Sequence, residues 1–363
     1  MIDRIALYGS GLDLALPIWA AVAEAGSCLH FPGSVPRLPH RTGVFSLDMV
    51  RMTVLASGSK GNSTVVSSSR TRILVDAGLS CRELFRRMHQ AGEDPRTLDA
   101  ILVTHEHQDH VQGLSVTARK LGIPVYFTEP THRAWCRWMA PRKRMTYADW
   151  LAQRKAAAAV NPDIDDREAF EEEQESRAVS PAAGAPVAAK SEPDPCALPA
   201  VEYFCAGQAF SVGDIAVTPF TIPHDAADPV GFVFEAEGVR IGVATDLGYM
   251  PAHAAQRLRG CDVLMLESNH DLDMLRDGPY PWSVKQRVMS RVGHMSNSAA
   301  AEFLEKSYDG GAAYVILAHL SESNNLPALA RISAEHALRV QMSLLANKLL
   351  LATQEAPLES IIL

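Results

Sequence analysis

The 363-residue chain has no long uninterrupted apolar run, no net positive charge and no cysteine framework. Its most apolar N-terminal stretch, Leu12 to Ala25, is broken by Asp13 and Glu24 and lacks the basic start and cleavage pattern of an exported protein. Neither an export signal nor a bilayer span is read there. A formal charge of −8 supplies no whole-molecule field that would draw in nucleic acid, so any such contact must come from local patches or from metals. The six cysteines, at 28, 81, 136, 196, 205 and 261, form no C-x-x-C pair, which fits reduced thiols, and none is an obvious nucleophile. The expectation is a soluble, cytoplasmic protein with no membrane partner. With 47% hydrophobic and 21% charged residues, the chain can bury a sizeable core, as one large α/β domain or two smaller ones.

What the chain does have is Thr104-His105-Glu106-His107-Gln108-Asp109-His110, directly behind the apolar segment Ala100 to Val103. Three imidazoles and a carboxylate on one turn would repel if protonated and gain nothing if neutral, unless a cation holds them. Neutral imidazole and carboxylate are the ligand types of first-row divalent ions, and the spacing gives two sets, His105 with His107 and Asp109 with His110. One ion cannot use both sets. Glu106 and Gln108 alternate with them and are expected to point away.

Around this run, strand-like and helix-like segments alternate. Met52 to Ala56, Thr64 to Ser67 and Arg72 to Asp76 read as strands, with a glycine-rich turn at Ser57 to Ser63. A helix follows through Leu84, Phe85 and Met88, and a strand over Leu98 to Val103 delivers the histidine cluster. Val116 to Leu121 reads as a helix and Val125 to Phe127 as a strand. Strands resume at Val217 to Ile222, Gly231 to Glu235, Val239 to Ala244 and Asp262 to Glu267, and Ser298 to Lys306 reads as a helix. Residues 1–48, broken by Pro32, Gly33, Pro36, Pro39 and Gly43, are read as an extension of uncertain order, so the functional domain is 49–363. Residues 141–199, rich in charge, Ala and Pro, cannot bury enough apolar surface to order themselves and are expected to be a disordered insertion. No internal repeat is visible as short motifs.

Ions bound by one loop need further ligands, and strand ends supply them: His224 after Thr221-Ile222-Pro223, Asp246 in Thr245-Asp246-Leu247-Gly248, His294 in Gly293-His294-Met295-Ser296, and His319 in Ala318-His319-Leu320-Ser321. A lone histidine after a strand is more often a hydrogen-bonded core residue. The order H-x-H-x-D-H, His, Asp in a T-D-x-G turn, then His resembles the metallo-β-lactamase superfamily. Within it, S-G-S-x-G-N-S, D-A-G-L-S, H-D-A-A-D-P-V-G, A-T-D-L-G-Y, G-P-Y-P-W-S and A-H-L-S resemble the YycJ/WalJ-like branch, over about Met52 to Leu326 apart from the insertion.

That resemblance implies an α/β (α+β) fold, the four-layer αββα sandwich, with a dinuclear site along one edge. It implies that His105, His107 and His224 hold one divalent ion and Asp109, His110 and His319 a second, with Asp246 bridging. Two ions, Zn²⁺ or Mn²⁺, would share a water and lower its pKa towards roughly 7, which means metal-assisted hydrolysis by a bridging hydroxide that Asp109 can steady. Asp246 stands where many true β-lactamases carry Cys, so β-lactam hydrolysis ranks low. Gly293-His294-Met295-Ser296 resembles the catalytic-histidine motif of RNase Z-like nucleases, which makes His294 the proton donor and Glu267 the acid that orients it. His294 as a helix cap and Glu267 as a structural pair stay open, and His270 is either a partner of the ligands or a fold residue.

The function implied is a phosphodiesterase or nuclease of the 5′-to-3′ DNA exonuclease type, with DNA as partner. A glyoxalase II-like thioesterase or a cyclic-phosphate diesterase would share the ligands without needing the His294–Glu267 pair, and a non-catalytic regulatory protein would need neither. Phosphate contacts are looked for at Arg142, Lys143 and Arg144 with Trp135 and Trp138, and at Lys285, Arg287 and Arg291. The remaining histidines, at 30, 40, 89, 132, 253 and 336, are read as structural or exposed. Oligomeric state is left open.

Overall fold

Strands buried on both faces account for most of the chain's apolar runs. In a computed structural model, residues 49–140, 196–340 and 347–363 are described. The expected extension over 1–48 lies outside them, as do Arg142, Lys143, Arg144 and the expected insertion apart from 196–199. Within those four residues, Cys196 and Leu198 pack against the core.

One seven-stranded sheet contains β1 (Arg51–Ala56), β2 (Ser63–Ser67), β3 (Arg72–Val75), β4 (Ala100–Leu102), β5 (Val125–Phe127), β6 (Val201–Tyr203) and β14 (Ile361–Ile362), in the order β14-β1-β2-β3-β4-β5-β6. The other contains β7 (Phe210–Val212), β8 (Ile215–Thr221), β9 (Val230–Ala236), β10 (Val239–Ala244), β11 (Val263–Glu267), β12 (Tyr314–Ala318) and β13 (Lys348–Leu351), in the order β13-β12-β11-β10-β9-β8-β7. Each begins as an antiparallel meander and continues as parallel strands, β3 to β6 and β10 to β13. The same plan thus occurs twice, although no short motif repeats.

Period-two alternation sorts the side chains into layers. Val263 and Met265 of β11, Ile316 of β12, Ile73 and Val75 of β3 and Phe232 and Phe234 of β9 meet between the sheets. Leu264, Leu266, Val315 and Leu317 face outwards and pack on helices Asn297–Lys306 and Pro327–Val340. On the opposite side Leu74, Ile101 and Phe127 pack on helices Cys81–Gln90, Leu114–Leu121 and Glu129–Met139. Each such buried side chain contributes roughly 1.5–3 kcal/mol. The result is the four-layer αββα sandwich expected from the resemblance.

Boundaries differ in detail. The strand expected over Leu98 to Val103 shortens to β4 because a 3-10 turn at Pro95–Thr97 precedes it. Ser296 caps the helix that starts at Asn297, its side chain accepting from Ala299 N. Cys81, Cys136, Cys196 and Cys261 are free thiols. Among the described residues no helix is long and apolar enough to cross a membrane.

Candidate metal centre

Six strands point their carboxyl ends at one edge of the sandwich: β3 leads to Asp76, β4 to the run 104–110, β8 to His224, β10 to Asp246, β11 ends in Glu267 and β12 leads to His319. This is where open α/β sheets collect function, since strand ends are rigid and the loops after them are free to vary. Asp76, Asp246 and His319 have φ of 60°, 60° and 55°, a left-handed backbone that non-glycine residues rarely adopt. Such strain, about 1–3 kcal/mol at each residue, is characteristic of positions where a turn must aim a side chain.

Two groups of donor atoms result. The nitrogens of His105, His107 and His224 lie within 4.8 Å of one another, and so do donors of Asp109, His110, Asp246 and His319. His107 Nδ1 is 3.2 Å from His224 Nε2. In the second group, Asp246 Oδ2 lies 3.4 Å from His110 Nε2 and its Oδ1 3.3 Å from His319 Nε2, while Asp109 Oδ2 is 3.4 Å from both nitrogens. All seven residues expected as ligands are therefore brought together. A third group of donors, Asp246, Glu267, His294 and His319, adjoins them.

The outward ring atoms are fixed from behind. Asp76 Oδ2 lies 2.8 Å from His110 Nδ1, and Thr104 Oγ1 donates to that same oxygen at 2.8 Å while standing 3.0 Å from His105 Nδ1. Gly293 O accepts from His224 Nδ1 at 3.2 Å. Glu267, wholly buried, presents Oε1 to His319 Nδ1 at 3.2 Å and to His294 Nδ1 at 2.8 Å, while its Oε2 accepts from Leu247 N and Met295 N. Anchored outer nitrogens set the tautomer and leave the inner nitrogens as free lone pairs. Asn62 Nδ2 donates to Asp109 Oδ2 at 3.1 Å, and Asn62 N donates to Asp109 O at 2.7 Å. Gly78 belongs to this packing, because a Cβ there would sit 1.7 Å from Asp109 O.

Two buried atoms test whether a cation fits this arrangement: His105 Nε2 and Asp246 Oδ2 form no hydrogen bond. An unsatisfied buried carboxylate oxygen facing imidazole lone pairs is costly unless a cation occupies the space between them. The donor set, imidazole nitrogen and carboxylate oxygen, suits a first-row divalent ion.

Titration follows from the same contacts. Burial alone would depress His110 and His319, but Asp246, with Asp109 and Asp76 at His110 and with Asp109 and Glu267 at His319, holds both imidazoles well above their ordinary 6.5. Burial also opposes the charge on Asp246, and His319 and His110 outweigh it, so its carboxyl lies well below 3.8. His105 and His224, with burial the dominant cause, lie below 6.5. Raised imidazole values stabilise the metal-free fold fully below about pH 6.5, and that contribution is lost as pH rises past the elevated folded values. Metal binding must expel the same protons and so strengthens with pH. Chelator-treated protein is expected to lose melting temperature above pH 6.5, while the increment from added Zn²⁺ or Mn²⁺ grows over the same range. Scanning calorimetry from pH 6 to 9 checks both, and an increment that shrinks with pH would contradict them.

A cleft of about 300 Å³ opens over the centre, lined by Ser59, His107, Asp109, Asp246, Arg287 and His294 among others. Several sequence expectations change there. Lys285 is buried, its ammonium donating to Arg276 O at 2.7 Å and Gly278 O at 2.8 Å, so it holds a helix end and is not free for phosphate. Trp135 is fully buried against Phe127, whereas Trp138 is exposed. Glu106 turns aside as expected and accepts from Ala227 N at 2.9 Å. His270 bridges to Ser296, and burial lowers its imidazole to about 4, against the opposing pull of Glu267. Asp76, Thr104 and Asn62 had no assigned role from sequence; Asp76 could have been singled out as a carboxylate directly after a strand and two residues before Gly78.

A family profile described as a β-lactamase superfamily domain matches residues 71–163 and 163–320. The chain is 32% identical over 289 residues to the Bacillus anthracis protein named exodeoxyribonuclease YycJ, covering 80% of this chain and 89% of that one. It is 30% identical over 283 residues to the Streptococcus pneumoniae protein named exodeoxyribonuclease WalJ, covering 78% and 86%. The metallo-β-lactamase fold protein YhfI from Bacillus subtilis matches with a TM-score of 0.54 at 14% identity, over 85% of this chain and 99% of that one. Zn²⁺-bound PqqB from Methylobacterium extorquens gives 0.51 at 16% identity, over 85% and 99%. At these identities the two structures bear on the fold alone.

Proposed function

Because the chain belongs to the β-lactamase superfamily, in its YycJ/WalJ-like branch, we propose that it is a metal-dependent phosphodiesterase of the 5′-to-3′ DNA exonuclease type. The names of its relatives support nuclease chemistry. The observation that carries the reading is the Glu267–His294 pair beside the ligand clusters, with Glu267 Oε1 2.8 Å from His294 Nδ1. Ester hydrolysis with a good leaving group does not need such a pair. Expelling a sugar oxygen from phosphate does, because that oxygen leaves as a strong base and requires a proton.

His105, His107 and His224 would hold one divalent ion and Asp109, His110 and His319 the other, with Asp246 reaching both. Two bound ions, Zn²⁺ or Mn²⁺, supply a water of lowered pKa and neutralise charge developing on the phosphoryl oxygens. Asp109, 21% exposed in its side chain and steadied by Asn62, faces the cleft and can accept a hydrogen bond from the attacking water. His294 also lines the cleft, with 23% of its side chain exposed. With Nδ1 engaged by Glu267, its Nε2 is the atom able to pass a proton to the leaving oxygen.

A panel of single- and double-stranded DNA and RNA, labelled at either end and run with Mn²⁺ and with Zn²⁺, tests the reading. The expected result is stepwise shortening of DNA from the 5′ end, abolished by chelator. Hydrolysis of thioesters with all four nucleic acids left intact would overturn it.

A further inference from the structure

We propose that Arg287, held by Asp225, is the residue by which the cleft grips a phosphate of the strand next to the one being cleaved; the inference rests on the phosphodiesterase reading above. Of the three basic residues before His294, Lys285 is buried and committed to two carbonyls, and the Arg291 guanidinium lies over the Tyr249 ring, 4.4 Å from its centroid. Arg287 is the one cationic side chain among the described residues that line the cleft.

Its attachment leaves the useful edge free. Nε donates to Asp225 Oδ2, and the two terminal amino groups have no partner among the described residues, with 66% of the side chain exposed. Those amino groups form a planar two-donor fork that matches two phosphate oxygens, which a lysine ammonium does not reproduce. Asp225 is itself fixed, since its N donates to Val292 O at 3.0 Å and joins the loop after β8 to the loop before His294. Without Arg287, the Asp225 Oδ2 that faces away from His224 would present negative charge to an incoming strand, while Oδ1 stays 3.5 Å from His224 Nε2. Asp109 and Asp246 also line the cleft, but their carboxylates lie within the ligand cluster.

Exposure separates the two roles. The scissile group must reach His294 and the buried inner donors of the two clusters, whereas the Arg287 side chain is 66% exposed and stands off them behind Asp225, whose Oδ1 lies 3.5 Å from His224 Nε2. Val284 and Val288, three residues before and one after it, line the same cleft and offer the strand an apolar surface beside that charge. Arg287 therefore acts on binding and on the salt dependence of binding, not on proton transfer.

The test compares wild type, Arg287→Gln and Arg287→Lys, each full length, metal-loaded and checked for equal metal content and melting temperature. The substrates are a single-stranded DNA oligonucleotide and bis(4-nitrophenyl) phosphate, which has no neighbouring phosphate. Arg287→Gln is expected to raise KM for DNA about tenfold with kcat little changed. The loss on DNA should exceed that on bis(4-nitrophenyl) phosphate at least fivefold. The slope of log(kcat/KM) against log salt should become shallower by about 0.7, the value for one phosphate contact on a single strand. Arg287→Lys should restore the slope and part of the KM. An unchanged KM and slope on DNA, or equal losses on both substrates, would overturn the inference. Wild-type protein that turns over neither diester overturns the underlying reading, and that outcome needs no variant.

Discussion

An Asp246→Asn variant is expected to keep less than about 1% of wild-type turnover on single-stranded DNA and to retain at most one divalent ion per chain where the wild type retains two. Asp246 is the carboxylate that the strained turn after β10 places between His110 Nε2 and His319 Nε2, at 3.4 and 3.3 Å. Its Oδ2 is buried and has no hydrogen bond, so its negative charge is available to a cation. Loss of a residue that merely orients a ligand typically costs roughly 10–100-fold in metal affinity or activity. Removing a charged donor itself, here one grouped with Asp109, His110 and His319, should exceed that range. An amide preserves shape, so the variant separates charge from packing. Elemental analysis of dialysed protein alongside single-turnover kinetics checks both parts. Two retained ions with turnover within tenfold of wild type would mean that Asp246 does not serve both clusters.

Much of the centre was legible in the sequence because its ligands share one local cause. A donor placed just after a buried apolar strand can be read from the run that precedes it, as with Ala100 to Val103 before His105, Val239 to Ala244 before Asp246 and Val315 to Ala318 before His319. The fold came from the order of those motifs and their resemblance to a family more than from periodicity. Both faces of these strands are buried, so alternation carries little contrast. Residues that act from behind the ligands were harder to find. Asp76 reaches His110 from 34 positions away, and Asn62 reaches Asp109 from 47, contacts that depend on strand pairing and on the backbone approach at Gly78. Lys285, one of the three basic residues before His294, was misread for a related reason: sequence shows that it is charged, but not that carbonyls at Arg276 and Gly278 already engage it. The short strands β13 and β14 complete the two sheets through pairing with β12 and β1; β13 coincides with the apolar run Leu349 to Ala352, which is too short to tell strand from helix by itself.

The second large effect separates His294 from Glu267, two residues that one carboxylate oxygen joins. His294→Ala is expected to lower kcat on DNA by about 10²–10⁴, the usual worth of a positioned proton donor, while both ions are retained. Its loss on a diester that expels 4-nitrophenolate should be much smaller, because that leaving group needs no proton. Glu267→Gln should behave differently. Glu267 Oε1 serves His294 Nδ1 and His319 Nδ1 together, and its Oε2 accepts from Leu247 N beside Asp246. Burial works against its charge, but the His294 and His319 imidazoles hold the carboxyl below its ordinary 4.5, so it is anionic where it supports both rings. An amide keeps the volume and removes that charge. The expected outcome is a loss on both diesters, with metal affinity lowered by roughly 10–100-fold through His319. The double variant should lose less than the product of the two single losses, because part of what Glu267 contributes passes through His294. Equal sensitivity of His294→Ala to good and poor leaving groups would rule out proton donation and leave His294 a structural neighbour of His319. A Glu267→Gln variant that binds metal normally and fails only on DNA would confine Glu267 to orienting His294.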